Sequence, residues 1–375
     1  TRTTVLLGLL AVAIVYPFAS RGPCQFPHAA VDRDYDFQVY FESFTFDGNS
    51  GNYFDYLILF GLMLSPWDWS YDFKIDFYGD DYEGNTGNVV DRVILATGSW
   101  ELPVLSLLRD AAKNMADGKG VFLDVGASTG QHSLFMSRFS SSVFSVEPYP
   151  PALARLRRTV EINQIKNIVI CPVGLGNENA RIPFFAPPDR NQGQGSFLQE
   201  FSGENSYQDQ LEIVVGDELL RDLGDPMVRT VKIDVEGFER AVLLGLGKTL
   251  QKTRPLIVVE ITPELEGSFK NIDQLLAVLP PKYKVLELFF DAQEWCKGKY
   301  VVRRRTGNLT SVTTLVLYPS EKEKRLPFNI LSEGTTEAEG AGCSDQYQSR
   351  TCTATPGAVT AFLKASKSEP REWYG

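Results

Sequence analysis

The sequence predicts an α/β protein built on a doubly wound, mostly parallel sheet with helices on both faces, preceded by an N-terminal extension. Between Trp100 and Ser320, short apolar runs alternate with stretches of helical periodicity, as βαβ units require. A glycine-rich turn, Gly126 to Gly130, joins the first strong apolar run to a helical pattern, the junction at which such sheets bind ligands. Hydrophobic residues make up 43% of the 375 residues against 22% charged, which supports a packed core rather than a disordered chain.

The elements follow in order. Val121–Val125 is the first clear strand, and the helix after the glycine turn carries Leu134, Phe135 and Phe139. Ser142–Val146 is the second strand, followed by a helix from about Pro151 to Asn163. Asn167–Val173 is the third, with Arg181–Phe185 as a short extra strand and Asn191–Gln210 as a polar loop. Val228–Ile233 is the fourth strand, and its helix shows Phe238, Val242 and Leu246 at helical spacing. Pro255–Glu260 lacks polar alternation, as a strand buried on both faces does. A helix around Ile272–Val278 leads to strands at Tyr283–Leu288 and Ser311–Leu317, the last closing the sheet.

The flanks differ in composition. Val5 to Ala19 is an apolar run of signal-peptide length, short for a bilayer span of ~20 residues. Residues 1–22 are therefore expected to be a signal peptide or signal anchor, with a buried helix or a transit peptide as alternatives. Residues 31–91 hold 13 Asp and Glu, and 17 of the chain's 44 aromatic residues lie between Tyr35 and Tyr82, which marks 23–97 as a separate acidic, aromatic extension. The catalytic domain is expected over 98–320, with 321–375 a mobile polar tail.

A net charge of -10 excludes a general nucleic-acid binder, which needs cations to neutralise phosphates. Cys24, Cys171, Cys296, Cys343 and Cys352 show no metal-ligand spacing, so no metal site is predicted from them. Cys343 and Cys352 can pair in an oxidising compartment, where the sequon at Asn308 can carry a glycan.

The chemistry concentrates at two strand ends. Asp124-Val-Gly126-Ala-Ser-Thr-Gly130 follows the first strand, and Glu147 ends the second, where a carboxylate can accept both hydroxyls of an adenosine ribose. A dinucleotide site wants GxGxxG facing a pyrophosphate. The spacing here is GxxxG, and Asp124 beside it would repel a pyrophosphate but suits ammonium and sulfonium charges. The fourth strand ends in Lys232-Ile-Asp234-Val-Glu236-Gly-Phe-Glu239. Asp234 is the candidate to meet the substrate. Glu236 and Glu239 can instead stabilise a helix N-terminus, with Glu236 pairing to Arg240. Glu260 either faces the same cleft or accepts backbone hydrogen bonds. His132, in the first turn after the glycine loop, either packs and caps or acts as a base.

Val121 to Phe135 (VFLDVGASTGQHSLF), Ser145-Val-Glu-Pro148 and Val231 to Glu239 (VKIDVEGFE) together resemble the FkbM-type methyltransferases. Gly98-Ser-Trp-Glu101 and Arg254 to Ile261 (RPLIVVEI) extend the likeness, which covers about residues 98–320. Ser128-Thr129 departs from it, since the family pattern has Asn followed by an aliphatic residue there. The resemblance implies a class I, Rossmann-like methyltransferase fold, S-adenosylmethionine as donor, and O-methylation of a glycan or small-molecule hydroxyl. It implies donor contacts from Asp124, Gly126, Gly130 and Glu147, with help from Glu101, and a reaction cleft lined by Asp234 and Glu236.

In that reaction an acceptor oxygen displaces the methyl group in line. The protein's part is to position the partners and remove a proton, with Asp234 as the orienting or deprotonating group. A divalent cation shared by Asp234, Glu236 and Glu260 is a further use of the same carboxylates. The rival readings are a catalytically silent binding protein of the same fold and a nicotinamide-dependent oxidoreductase. Because the donor is expected to be scarce outside cells, the N-terminal segment is expected to anchor the enzyme in a membrane of the endoplasmic reticulum or Golgi, with a secreted or cytosol-facing enzyme as alternatives.

Overall fold

The computed structural model describes residues 36–41, 44–47, 72–116, 120–187, 195–199, 207–265, 267–289, 300–331 and 358–361. The segment Val5 to Ala19 and the pair Cys343 and Cys352 lie outside them. No helix among the described residues is long and apolar enough to cross a membrane. The described residues fall into two compact units, one from Thr1–Trp100 with Gln346–Gly375 and the other from Glu101–Asp345.

In the first unit, β1 (Asp36–Phe41) pairs antiparallel with β2 (Phe44–Asp47) and parallel with β17 (Ala358–Ala361). β3 (Asp72–Phe77) and β4 (Asp80–Asn85) form a hairpin whose inner face carries Phe73, Ile75, Phe77 and Tyr82, all buried. Helix α1 (Val89–Thr97) follows, capped by the Asn88 side chain on Val90 N–H and ended by Gly98 at φ 85°. Part of the aromatic content of this region is thus a small hydrophobic core. Its acids are in use too: Asp91 accepts from the Tyr82 hydroxyl at 2.7 Å and from Asn85 N–H at 2.9 Å.

The second unit is the α/β domain. Its strands are β5 (Val121–Val125), β6 (Ser142–Val146), β7 (Ile168–Cys171), β8 (Gly174–Gly176), β9 (Ala180–Phe185), β10 (Tyr207–Val215), β11 (Val228–Ile233), β12 (Leu256–Ile261), β13 (Tyr283–Phe289), β14 (Val301–Arg304), β15 (Thr313–Pro319) and β16 (Ile330–Leu331). Its helices are α2 (Leu102–Ala116), α3 (Gln131–Met136), α4 (Pro150–Ile162), α5 (Gly216–Asp222), α6 (Glu239–Gly245), α7 (Gly247–Thr253) and α8 (Ile272–Ala277). The main sheet has nine strands in the order β16-β14-β13-β15-β12-β11-β5-β6-β7. The run β12-β11-β5-β6-β7 is parallel, and β15 and β13 add antiparallel pairings beside it.

The apolar pattern explains this order. β12 lies at the centre of this order with β5 two strands away, both are buried nearly throughout, and each fully buried Val, Ile or Leu contributes about 1.5–3 kcal/mol. α4 turns Ala152, Leu153, Leu156 and Thr159 inward at helical spacing and starts on Pro150, where a missing N–H costs nothing.

The extra strand at Arg181–Phe185 is present as β9, which joins β8 and β10 in a separate three-stranded sheet, whereas other expectations change. β10 begins inside the expected polar loop at Tyr207. The third strand stops at Cys171 because Pro172 has no N–H to give the ladder. β15 does not close the sheet but lies between β12 and β13. Ordered structure also continues beyond 320, through a 3-10 turn at Ser320–Arg325 and β16 at the sheet edge.

Gly245 ends α6 against β8, and a Cβ built there would stand 1.8 Å from the Gly176 carbonyl oxygen. Gly→Ala ordinarily stabilises a helix by ~1 kcal/mol. Gly245→Ala is expected to do the reverse, destabilising by more than ~2 kcal/mol because backbone must move. Urea denaturation midpoints check this, and a neutral or stabilising effect would refute the close approach.

Candidate active site

The site gathers where β5, β6, β11 and β12 end. Parallel pairing sets Lys232 opposite Asp124 and Ile233 opposite Val125, and Asp234 N–H then donates to the Val125 carbonyl at 3.0 Å. The turn after β5 is tied to β6: Gly126 and Ala127 N–H both reach the Val146 carbonyl at 3.0 Å. Ser128, at φ 49°, donates its N–H to Glu147 Oε2 at 2.9 Å, and Tyr149 N–H donates to Oε1 at 2.8 Å. Both Glu147 oxygens therefore hold backbone amides, each with a lone pair to spare.

The glycines have a structural reason of their own. Gly126 has φ +82°, and a Cβ there would lie 1.8 Å from the Asp234 carbonyl oxygen. Gly130 has φ +90°, and its Cβ would meet Leu156 at 2.4 Å. The reading that they clear space for a ligand is thus joined by a constraint from the protein itself: two backbones and one side chain need the room.

Asp124 is fully buried. Its Oδ2 accepts from the Ser133 hydroxyl at 2.6 Å, and Ser133 and Ser145 hydroxyls lie 2.6 Å apart. Its Oδ1 has no partner. Burial raises the Asp124 pKa, against the pull of Lys232 and the Ser133 bond. Ser133 and Ser145 carry no signal in the sequence, where isolated serines form no pattern.

Lys232 is buried, and its Nζ donates to Asp234 Oδ2 at 2.9 Å. Burial alone would lower its pKa, but the charges of Asp234, Glu101 and Asp124 outweigh burial and hold it above the ordinary value. The Asp234 side chain remains 26% exposed, so this carboxylate reaches the surface of the site. Glu101, at φ 52°, places Oε2 3.5 Å from His132 Nε2, and neither atom has a hydrogen-bond partner. Burial first, then Lys232, pushes the His132 pKa well below its usual value, so the contact joins a neutral imidazole to a carboxyl whose own pKa rises to about 7 through burial.

Glu260 shares the same field. Burial, then Asp234 and Glu101, raises its pKa to about 8. Burial and the neighbouring charges of Asp234, Glu260 and Glu239 push the Glu236 carboxyl up to about 10. Glu239 caps its own turn, accepting from Gly237 N–H at 2.9 Å and Val235 N–H at 3.4 Å, with Oε2 unpartnered. No ion pair joins Glu236 to Arg240 among the described residues; Arg240 lies over the Phe269 ring. No group of His, Cys, Asp and Glu among them has the arrangement to hold a metal ion. Cys171 is buried and free.

Folding raises Glu101, Glu147 and Glu239 from 4.5 to about 7, burial being the largest cause in each. The folded chain therefore holds protons that the unfolded chain has released between those values. Their contribution to stability is complete below pH 4.5 and is lost as pH rises through about 7. The melting temperature of Glu101→Gln, permanently neutral, should fall less steeply than the parent's over this window. An equal slope in both would contradict the burial of this charge.

Residues 124–284 match the methyltransferase FkbM domain family. The chain is 29% identical over 177 residues to the hexuronic acid methyltransferase AglP of Haloferax volcanii, covering 47% of this chain and 68% of that protein. It is 27% identical over 172 residues to methyltransferase 1 of Beauveria bassiana, covering 41% of this chain and 69% of that one. A crystal structure of an FkbM methyltransferase from Methylobacillus flagellatus KT aligns with a TM-score of 0.35 at 17% identity, over 54% of this chain and 44% of that one, so the chain spans less than half of that structure. The motifs that raised the resemblance, Asp124 to Gly130, Glu147 and Val231 to Glu239, all lie inside residues 124–284, the region similar to the methyltransferase FkbM domain.

Proposed function

We propose that the chain is an S-adenosylmethionine-dependent O-methyltransferase acting on a hydroxyl of a glycan or small molecule. The observation that carries this reading is the meeting of Asp124, Glu147 and Asp234 around one glycine turn at the strand ends. The residues fit the donor. Asp124 Oδ1 and Glu101 Oε2 are buried acceptors that the fold leaves unused, which suits an ammonium group. Glu147 keeps lone pairs for two ribose hydroxyls. Carboxyls crowded around a single lysine favour a cationic ligand and oppose a pyrophosphate. The likeness to a hexuronic acid methyltransferase supports a sugar as acceptor.

When bound, S-adenosylmethionine supplies a methyl group already activated on a sulfonium sulfur. What remains for this chain is to hold the acceptor hydroxyl and take its proton. Asp234 does so through Oδ1, since Lys232 occupies Oδ2 and fixes the carboxylate's orientation. Glu236, whose carboxyl burial and the surrounding charges push well above the ordinary range, lines the same cleft beside Asp234. An anchor at Val5 to Ala19 would keep the enzyme beside glycans assembled in the secretory pathway.

Calorimetric titration is expected to detect S-adenosylmethionine binding and none by NAD. Glu147→Ala should weaken donor affinity about tenfold or more, through the loss of charge-assisted hydrogen bonds. Asp234→Asn should lower turnover by on the order of 100-fold with a smaller change in donor affinity, the pattern of a group acting in the transition state. Turnover that survives Asp234→Asn would remove Asp234 from the mechanism.

A further inference from the structure

The loop that carries Asp234 and Glu236 adopts a costly backbone. Glu236 has φ 51° and Gly237 φ 101°, and a non-glycine residue is strained in the left-handed region. Such a conformation persists only when its surroundings over-determine it. A short segment outside the main sheet does this.

Ser196 is buried at 1% exposure. Its backbone is fastened to β9, with Phe185 N–H donating to the Ser196 carbonyl at 2.8 Å and Ser196 N–H to the Phe185 carbonyl at 3.1 Å. Its hydroxyl donates to the Glu236 carbonyl at 2.7 Å and accepts from Leu198 N–H at 3.0 Å. Every polar atom of this serine is therefore engaged, and one bond crosses to the loop at the strained residue. Leu198 closes over Gly237, where a Cβ would stand 2.8 Å from its Cδ1. Phe197 meets Phe238 with ring centroids 5.6 Å apart, and on its other side meets Phe184 at 5.1 Å. Phe184 stacks on Tyr149 at 5.3 Å, whose N–H holds Glu147.

We infer that Ser196 is a positioning residue of the methyl-transfer site: its hydroxyl, anchored on β9, locks the left-handed turn at Glu236 and so sets the carboxyls of residues 234–236. Leu198 and Phe197 hold the next two residues of the same loop. The inference rests on the reading of Asp234 and Glu236 as the reacting end, and it gives the three-stranded β8-β9-β10 sheet a role as the frame against which the catalytic loop is braced.

The test uses the full chain and Ser196→Ala, with Ser196→Thr as the variant that keeps the hydroxyl. Amide hydrogen exchange at Gly237 and Phe238 is expected to speed up at least about tenfold in Ser196→Ala, while exchange in β5 stays at the parental rate. The titration of Glu236, followed by carboxyl carbon NMR, should shift toward the ordinary carboxylate range as the loop relaxes. Ser196→Thr should restore both. In methyl transfer from labelled S-adenosylmethionine, kcat should fall about tenfold or more, with donor affinity within about twofold. Unchanged exchange at Gly237 and an unmoved Glu236 titration would overturn the inference. Neither measurement needs an acceptor, so this result is separate from that of Asp234→Asn. If Ser196→Ala does not fold, Leu198→Ala removes the contact over Gly237 and is held to the same local exchange and titration.

Discussion

Two backbones must touch for this site to exist. β5 and β11 run side by side, and past their ends the Gly126 turn passes so close to the Asp234 carbonyl that no side chain fits between them. That single approach fixes the turn after β5 against the loop after β11. The carboxyls of Asp124 and Glu147 and those of Asp234 and Glu236 thereby become one constellation. It also explains why glycine is required at 126 independently of any ligand, and why the parallel register places Lys232 across from Asp124.

The second consequence is electrostatic. Bringing these strand ends together buries a lysine among Asp124, Asp234 and Glu101, with Glu260 of β12 in the same field. One ammonium cannot neutralise them all, and charges removed from water without partners are too costly to keep. The folded chain resolves this by letting Glu101, Glu147, Glu239, Glu260 and Glu236 hold protons at values from about 7 to about 10. Such a cluster is poised to exchange protons for a cationic ligand. Preorganised polar groups of this kind act without rearrangement when charge moves in the reaction.

How much of this is legible in the sequence follows from the type of signal. β5, β6 and β11 can be read with the bounds the structure gives, because buried parallel strands are short apolar runs ending at turn residues. α2 cannot, because Leu102, Val104, Leu105, Leu107 and Leu108 are all buried, so its apolar residues show no clean stripe. β10 is hidden by Gln208, Asp209, Gln210 and Glu212, which give its start the look of a loop, and β16 is only two residues long. At the site, charged residues at strand ends stand out, and Asp124, Glu147 and Asp234 do converge. Ser133, Ser145 and Ser196 do not stand out, since a buried hydroxyl is specified by tertiary neighbours and not by spacing along the chain. Glu239 illustrates the opposite case: a carboxylate in a suggestive motif whose oxygen caps its own turn.

On the proposed function, the strand ends form an anionic, proton-holding cradle for a cationic methyl donor. Calorimetry of S-adenosylmethionine binding to the full chain, run near neutral pH in buffers of different ionisation enthalpy, tests it most directly. Proton release on binding is expected, with affinity that strengthens as pH rises through the carboxyl values near 7 and 8. S-adenosylhomocysteine, which lacks the sulfonium charge, should release fewer protons. Binding of both without proton exchange, and with the same pH dependence, would contradict it.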